Sequence, residues 1–222
     1  MDHRLPTEMH VRRRAVHRAY DQGMKHLTMA ELEAGLAAMA PSPQDAGRLE
    51  LIVRRPAVGE REVLAEGELD RASGLVGDTW HLRASSRMPD RSPHPDMQIN
   101  IMNARAAALV AGDRARWPLA GDQLYVDLDL SEANLPAGTR LAIGSAVLEV
   151  TAQAHTGCAK FASRFGVEAM RFVNSPIGRA RNLRGINARV VIPGRIRQGD
   201  VVQKTALGRA VTARGLAESG AP

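Results

Sequence analysis

The stretch Thr139-Arg140-Leu141-Ala142-Ile143-Gly144-Ser145-Ala146-Val147-Leu148-Glu149-Val150-Thr151 decides the fold class. Two apolar-rich arms flank Gly144-Ser145, a Gly-X dipeptide suited to a two-residue type II′ turn, so the segment reads as a tight β-hairpin. On its C-terminal side, Ser163 to Val173 carries Phe165, Ala169, Phe172 and Val173 at helical spacing. Ile186 to Ile192 is rich in β-branched residues and runs into Pro193-Gly194, which reads as a strand followed by a turn. On the N-terminal side, Asn103 can cap a short helix through Ala104 to Val110 that ends before Gly112. Arg83 to Asp96, with Pro89, Pro93 and Pro95, reads as a long loop, and Val63 to Leu69 as a weaker strand. Leu49, Leu51 and Val53 alternate with Arg48, Glu50 and Arg54 in a strand stopped at Pro56, although Ile52 breaks the alternation.

Further out, Thr28-Met29-Ala30-Glu31 has the spacing of a capping box and should open a helix. Its stripe of Leu32, Leu36 and Met39 should face inward until Pro41-Ser42-Pro43 ends it, making it a lid on the main domain. Short strands, repeated Gly-Asp pairs and intermittent helices predict a mainly β fold, a closed antiparallel β-barrel with a few flanking α-helices, rather than βαβ units. The expected organisation is an N-terminal arm and helix over 1–46, a barrel domain over 47–204 and a tail over 205–222. Residues 1–26 are charged without an apolar period and read as a solvated arm.

Composition narrows the function classes. The chain has 222 residues, 44% hydrophobic and 24% charged, within the range of globular proteins. Its longest uncharged run, Ala34 to Gln44, is far too short to span a bilayer, and the polar start Met1-Asp2-His3-Arg4 lacks a signal-peptide pattern, so a cytoplasmic location with no membrane partner is expected. A net charge of +6 would ordinarily suggest nucleic acid. However, only Lys25, Lys160 and Lys204 of its 30 basic residues are lysine, the arginines are spread along the chain, and aromatics make up 3%. No stacking platform is present, and no nucleic-acid partner is expected.

Dinucleotide, Walker, zinc-protease and nucleophile-elbow signatures are absent. Attention falls on His155-Thr156-Gly157-Cys158-Ala159-Lys160-Phe161, which follows the hairpin. Cys158 is the only cysteine, so neither an internal disulfide nor a multi-thiolate zinc site can form. Gly157 allows close approach to Cys158, and Lys160 and His155 can favour its thiolate. On residue chemistry alone, a lone cysteine among apolar neighbours is more often a small buried hydrophobe. Asp78, Asp122 and Asp200 each follow a glycine and read first as turn or cap carboxylates, while His94 and Asp96 read as surface loop residues. Arg184 can simply pair with a carboxylate.

Seven elements nevertheless occur together in order: Gly74-Leu75-Val76-Gly77-Asp78, Gln98, Ala120-Gly121-Asp122-Gln123-Leu124, Leu135-Pro136-Ala137-Gly138-Thr139, Gly157-Cys158-Ala159-Lys160-Phe161, Arg184-Gly185 and Gly199-Asp200. Over about residues 47 to 204 the chain resembles a stand-alone MOSC domain, the family named for the C-terminal domain of molybdenum cofactor sulfurases. The resemblance implies a barrel of the kind also seen in pyruvate kinase, with Cys158 as sulfur carrier or molybdenum ligand and catalytic residue. It implies a molybdenum-pterin cofactor of the molybdopterin type, with His155, Thr156, Gly157, Lys160 and Arg184 as candidate cofactor-binding residues. Two functions follow: an oxidoreductase acting on N-oxygenated small molecules, which needs electrons from a redox partner protein, or a module that carries sulfur as a Cys158 persulfide or holds the cofactor without its own turnover. Residues 1–46 are too few for the desulfurase domain of full sulfurases, so pyridoxal phosphate is not expected. The separate N-terminal barrel domain of amidoxime-reducing relatives is also unmatched, and the loop after Asp78 is an expected specificity loop.

Overall fold

A computed structural model of the chain describes residues 25–205. The basic arm before Lys25 and the tail beyond Thr205 lie outside the described residues. The hairpin forms as its sequence demands: β7 (Arg140–Ile143) and β8 (Ala146–Val150) pair antiparallel across Gly144-Ser145, and only Gly144 of the two takes positive φ. Around it, β11 (Val201–Thr205), β7, β8, β9 (Ile186–Ile192), β5 (Ile99–Asn103), β6 (Leu124–Asp127) and β1 (Ala46–Arg54) follow one another, and β1 pairs back onto β11. Among the described residues this closes a seven-stranded barrel. β2 (Glu62–Leu64) extends β1, while β3 (Glu66–Asp70), β4 (Gly74–Leu75) and β10 (Gly194–Arg197) form a small second sheet. The weak strand expected over 63–69 is thus two strands.

The barrel is mixed, which corrects the expectation of an antiparallel one: β5 and β6 run parallel, Ile101 opposite Leu124 and Asn103 opposite Val126. The reason lies in their connection. Two parallel neighbours need a crossover, and α2 (Ala104–Ala111), capped by Asn103 as expected, supplies it with a following 3₁₀ segment, Arg114–Ala120.

β1 also explains its broken alternation. Its register against β6 shifts between Leu49 and Leu51, a bulge at Glu50. Leu49 and Ile52 therefore point into the barrel core with Leu69, Ile101, Leu124, Leu141 and Leu148, whereas Leu51 and Val53 enter a second core under the helices. Ile52 follows from burial on both faces.

The second core holds α1 (Met29–Ala38) against the barrel through Leu32 and Leu36, with Met39 packed beside them. Both bonds of the Thr28–Glu31 capping box are present. The single helix expected over 163–173 is two, α3 (Ala159–Phe165) and α4 (Val167–Asn174), because Gly166 adopts φ 93°, a conformation that ends a helix. A short α5 (Pro176–Ala180) follows. Phe161, Phe165 and Phe172 are buried from these helices. No helix among the described residues is long and apolar enough to cross a membrane.

Candidate functional site

The site grows from the chain that leaves β8. From Thr151 the loop runs to Cys158, the N-cap residue of α3. An N-cap is usually a side chain that caps the first turn, but the Cys158 side chain makes no such bond and is exposed. The expectation of a small buried hydrophobe is therefore corrected: the apolar neighbours in sequence, Phe161 and Phe165, turn inward while the thiol faces out. The backbone beneath it is fixed. The Asn174 side chain accepts from Gly157 N and donates to Gly157 O, both at 2.9 Å, and Cys158 O accepts from Phe161 N and Ala162 N at 2.9 and 3.0 Å. A Cβ at residue 157 would lie 2.9 Å from Val173 Cγ2, so a larger residue there would have to displace side chains of α4.

The other predicted residues divide into two layers. Thr156 and Lys160 are exposed beside Cys158. His155 and Arg184 lie below, around Asp122. Arg184 Nη1 donates to both Asp122 carboxylate oxygens at 2.9 and 2.7 Å, its Nη2 donates to Ala120 O at 2.9 Å, and its guanidinium lies 5.0 Å over the Phe161 ring. Burial pushes the Asp122 carboxyl up, and the facing guanidinium of Arg184 opposes that rise. His155 Nδ1 stands 3.4 Å from Asp122 Oδ1. Burial, reinforced by the charges of Arg184 and Arg55, holds its pKa well below the ordinary 6.5. The imidazole is accordingly neutral near pH 7 and lends no positive charge to Cys158, contrary to the expectation. His155 Nδ1 and Arg184 Nε are buried without a hydrogen-bond partner.

A second buried pair lies behind the first. Arg55 donates to both oxygens of Asp78, Nε to Oδ2 at 2.7 Å and Nη2 to Oδ1 at 2.8 Å, and its Nη1 reaches Asn100 Oδ1 at 3.1 Å and Gly121 O at 2.9 Å. Burial alone would raise the Asp78 pKa, but Arg55 and the amides of Arg55 and Trp80 outweigh it and hold the carboxyl below its usual range. Asn100 donates to Asn187 Oδ1 at 2.6 Å and Asn187 donates to Gln153 O at 2.9 Å, so this network runs from the barrel into the Cys158 loop. The proline-rich loop touches it too, Arg87 donating to Gln153 Oε1 at 2.8 Å.

Asp78 and Asp122 thus do more than the turn role first read for them, whereas Asp200 keeps it, accepting from Arg197 N at 2.7 Å. The contribution of Arg55 and Asn174 escaped the sequence, since an arginine before a proline and an asparagine closing a helix carry no signal of their own. No group of three or more His, Cys, Asp or Glu side chains able to hold a metal occurs among the described residues.

A closed mixed barrel that displays one exposed cysteine on a rigid loop-to-helix junction, over buried Arg–Asp pairs, defines a class of small β-barrel proteins with a single-thiol site. The sequence model of the MOSC domain matches residues 90–203, which carry Cys158 and both residues of the Arg184–Asp122 pair, and the chain belongs to that family. The Gly74–Asp78 element precedes the matched stretch. A search of curated proteins gave no match. Among solved structures, the YuaD protein from Bacillus subtilis is similar at 20% identity with a TM-score of 0.50, covering 72% of this chain and 95% of that one. A structure described as a hypothetical protein matches at 18% identity and 0.51, covering 73% and 69%. YiiM from Escherichia coli matches at 20% identity and 0.47, covering 73% and 71%. The first two likenesses are of fold.

Proposed function

We propose that this MOSC protein binds a molybdenum-pterin cofactor with Cys158 as the protein's ligand to the metal, and works as an oxidoreductase on N-oxygenated small molecules. The observation that carries the reading is an exposed, unbonded thiol on a backbone held by four hydrogen bonds. The donor set fits the group. A divalent ion held by protein alone needs three or four side chains, whereas a metal that arrives with its own dithiolene sulfurs needs one soft thiolate. Lys160, exposed and without a carboxylate partner among the described residues, suits the cofactor's phosphate, and Thr156 offers a hydroxyl beside it. When bound, the cofactor supplies the two-electron redox chemistry.

The chain's own residues supply position. Asn174 fixes the Cys158 backbone, and the buried Arg184–Asp122 pair anchors the floor under Phe161. Reduction of an N-hydroxyl compound consumes two electrons and two protons and releases water, so an external donor, a reductase protein, is part of the proposal. The same free thiol supports a second reading, in which Cys158 carries sulfur as a persulfide, because a carrier needs exposure and no further ligand.

The test is the molybdenum and pterin content of protein purified from a host competent in cofactor synthesis. Wild type should carry both. Cys158→Ser should lose molybdenum while melting within about 1 °C of wild type, because its side chain makes no bond that serine would break. A mass increment of one sulfur atom on Cys158, without metal, selects the carrier reading. Absence of metal, pterin and added sulfur from wild type refutes both.

A further inference from the structure

Four successive carbonyls of one turn each accept a hydrogen bond from a different guanidinium. Arg61 Nε donates to Pro118 O at 3.1 Å, Arg164 Nη1 to Leu119 O, Arg184 Nη2 to Ala120 O at 2.9 Å and Arg55 Nη1 to Gly121 O at 2.9 Å. This turn closes the 3₁₀ segment Arg114–Ala120, where Pro118 O also accepts from Gly121 N at 3.2 Å and the carbonyls at a helix C-terminus draw cations. Two of the four charges are neutralised, Arg55 by Asp78 and Arg184 by Asp122. Arg61 and Arg164 have no carboxylate partner among the described residues, although both are partly buried.

Arg83 is a further cation, on the loop after Asp78. It is exposed, donates to Thr79 Oγ1 at 3.3 Å and likewise has no carboxylate partner among the described residues. Burial first, then the charges of Arg164, Arg55 and Arg83, lower the Arg61 pKa to about 10. Like charges gathered in a partly desolvated place oppose folding unless an anion meets them, and planar guanidinium forks match the oxygens of a tetrahedral anion.

We propose that Arg61 and Arg164, set on adjacent carbonyls, form a binding site for a doubly charged tetrahedral oxyanion, either free phosphate or the phosphate end of a larger ligand. Arg164 sits in the last turn of α3, whose N-cap is Cys158. Six residue steps separate the two, about 9 Å along the axis. A larger ligand that meets both would be the cofactor, its phosphate shared between Lys160 and Arg164, which stand four residues apart on α3, and in that form the inference rests on the proposed function. As a site for free phosphate it stands without it.

The test is calorimetric titration of the cofactor-free full chain with inorganic phosphate and with phenyl phosphate, sodium chloride matching the ionic strength. Wild type should bind saturably. Tighter binding of phenyl phosphate marks a site for the end of a larger ligand, equal or weaker binding a site for free phosphate, and both support the site. Arg61→Gln with Arg164→Gln should weaken binding at least about tenfold. Arg171→Gln, which removes an exposed pair with Glu168 on α4, should leave it unchanged. No saturable binding by wild type, or equal binding by the double variant, overturns the site. If the double variant does not fold, phosphate protection of wild-type arginines from phenylglyoxal, mapped by mass spectrometry, replaces it. Protection centred on Arg61 and Arg164 supports the site, and uniform or absent protection overturns it. Because the titration uses cofactor-free protein, its failure is distinct from a failure to find molybdenum.

Discussion

Replacing Asp122 with asparagine tests whether Arg184 is an internal structural cation. The amide keeps the shape of the side chain and removes its charge, leaving a guanidinium whose side chain is 7% exposed with Ala120 O as its remaining strong acceptor. Breaking one partner of a buried pair costs about 3–5 kcal/mol, because the other charge stays desolvated and unmatched. Against a total stability of about 5–15 kcal/mol this is severe. At roughly 2–4 °C per kcal/mol for a chain of this size, the melting temperature should fall by about 6–20 °C. Urea unfolding followed by tryptophan fluorescence reads it directly, since Trp117 is buried and its ring lies 5.9 Å from Tyr125. Asp122→Leu combined with Arg184→Met, which removes both charges, should recover most of the loss. A single-variant loss below about 1 kcal/mol, or a double variant no better than the single one, would refute the assignment and return Arg184 to direct cofactor binding.

Three further outcomes are expected. His155 has a folded-state pKa below its unfolded one, so the unfolded chain takes up the proton first; stability should fall as pH drops below about 6.5, by up to roughly 1.4 kcal/mol per unit, and His155→Gln should flatten that part of a urea-midpoint profile. Asn174→Ala removes both bonds to Gly157 and should cost about 1–3 kcal/mol, with faster amide hydrogen exchange at Gly157 as its local signature. Leu32→Ala, at a fully buried position on α1, should cost about 2–5 kcal/mol in thermal unfolding, and a neutral result would mean that the helix does not hold to the barrel.

What could be read from the sequence was what is local. The hairpin at Gly144, the capping box at Thr28 and the Asn103 cap each depend on a few consecutive residues, and each formed. The parallel β5–β6 step was not legible, because pairing between distant strands is decided by the whole ring. Ile52 gave a usable warning: Leu51-Ile52-Val53 is an apolar run, the pattern of a strand covered on both faces, which alternation alone misses. Within the site, Cys158 stood out through its neighbours in the family motif, but its exposure depended on which way Phe161 turned. Asp78 and Asp122 read as turn acids because their partners, Arg55 and Arg184, lie 23 and 62 residues away.

The parallel step carries a consequence of parity. Strand direction flips at every antiparallel neighbour, so a ring can close only if the number of such flips is even. With seven members, the two directions cannot alternate all the way round, and at least one seam must join like with like. Here six junctions flip and one does not, and the one is β5–β6. At that seam the Gln123 side chain accepts from Asn100 N at 2.8 Å, the Gln123 amide donates to Asn100 O at 3.1 Å, and Arg55 bonds both Asn100 Oδ1 and Gly121 O. The odd count thus requires a seam, the crossover through α2 sets it at β5–β6, and there the polar side chains that mend it support the Cys158 loop. A homologue that gained or lost one barrel strand would no longer need the seam, and the polar network would lose its reason to be there.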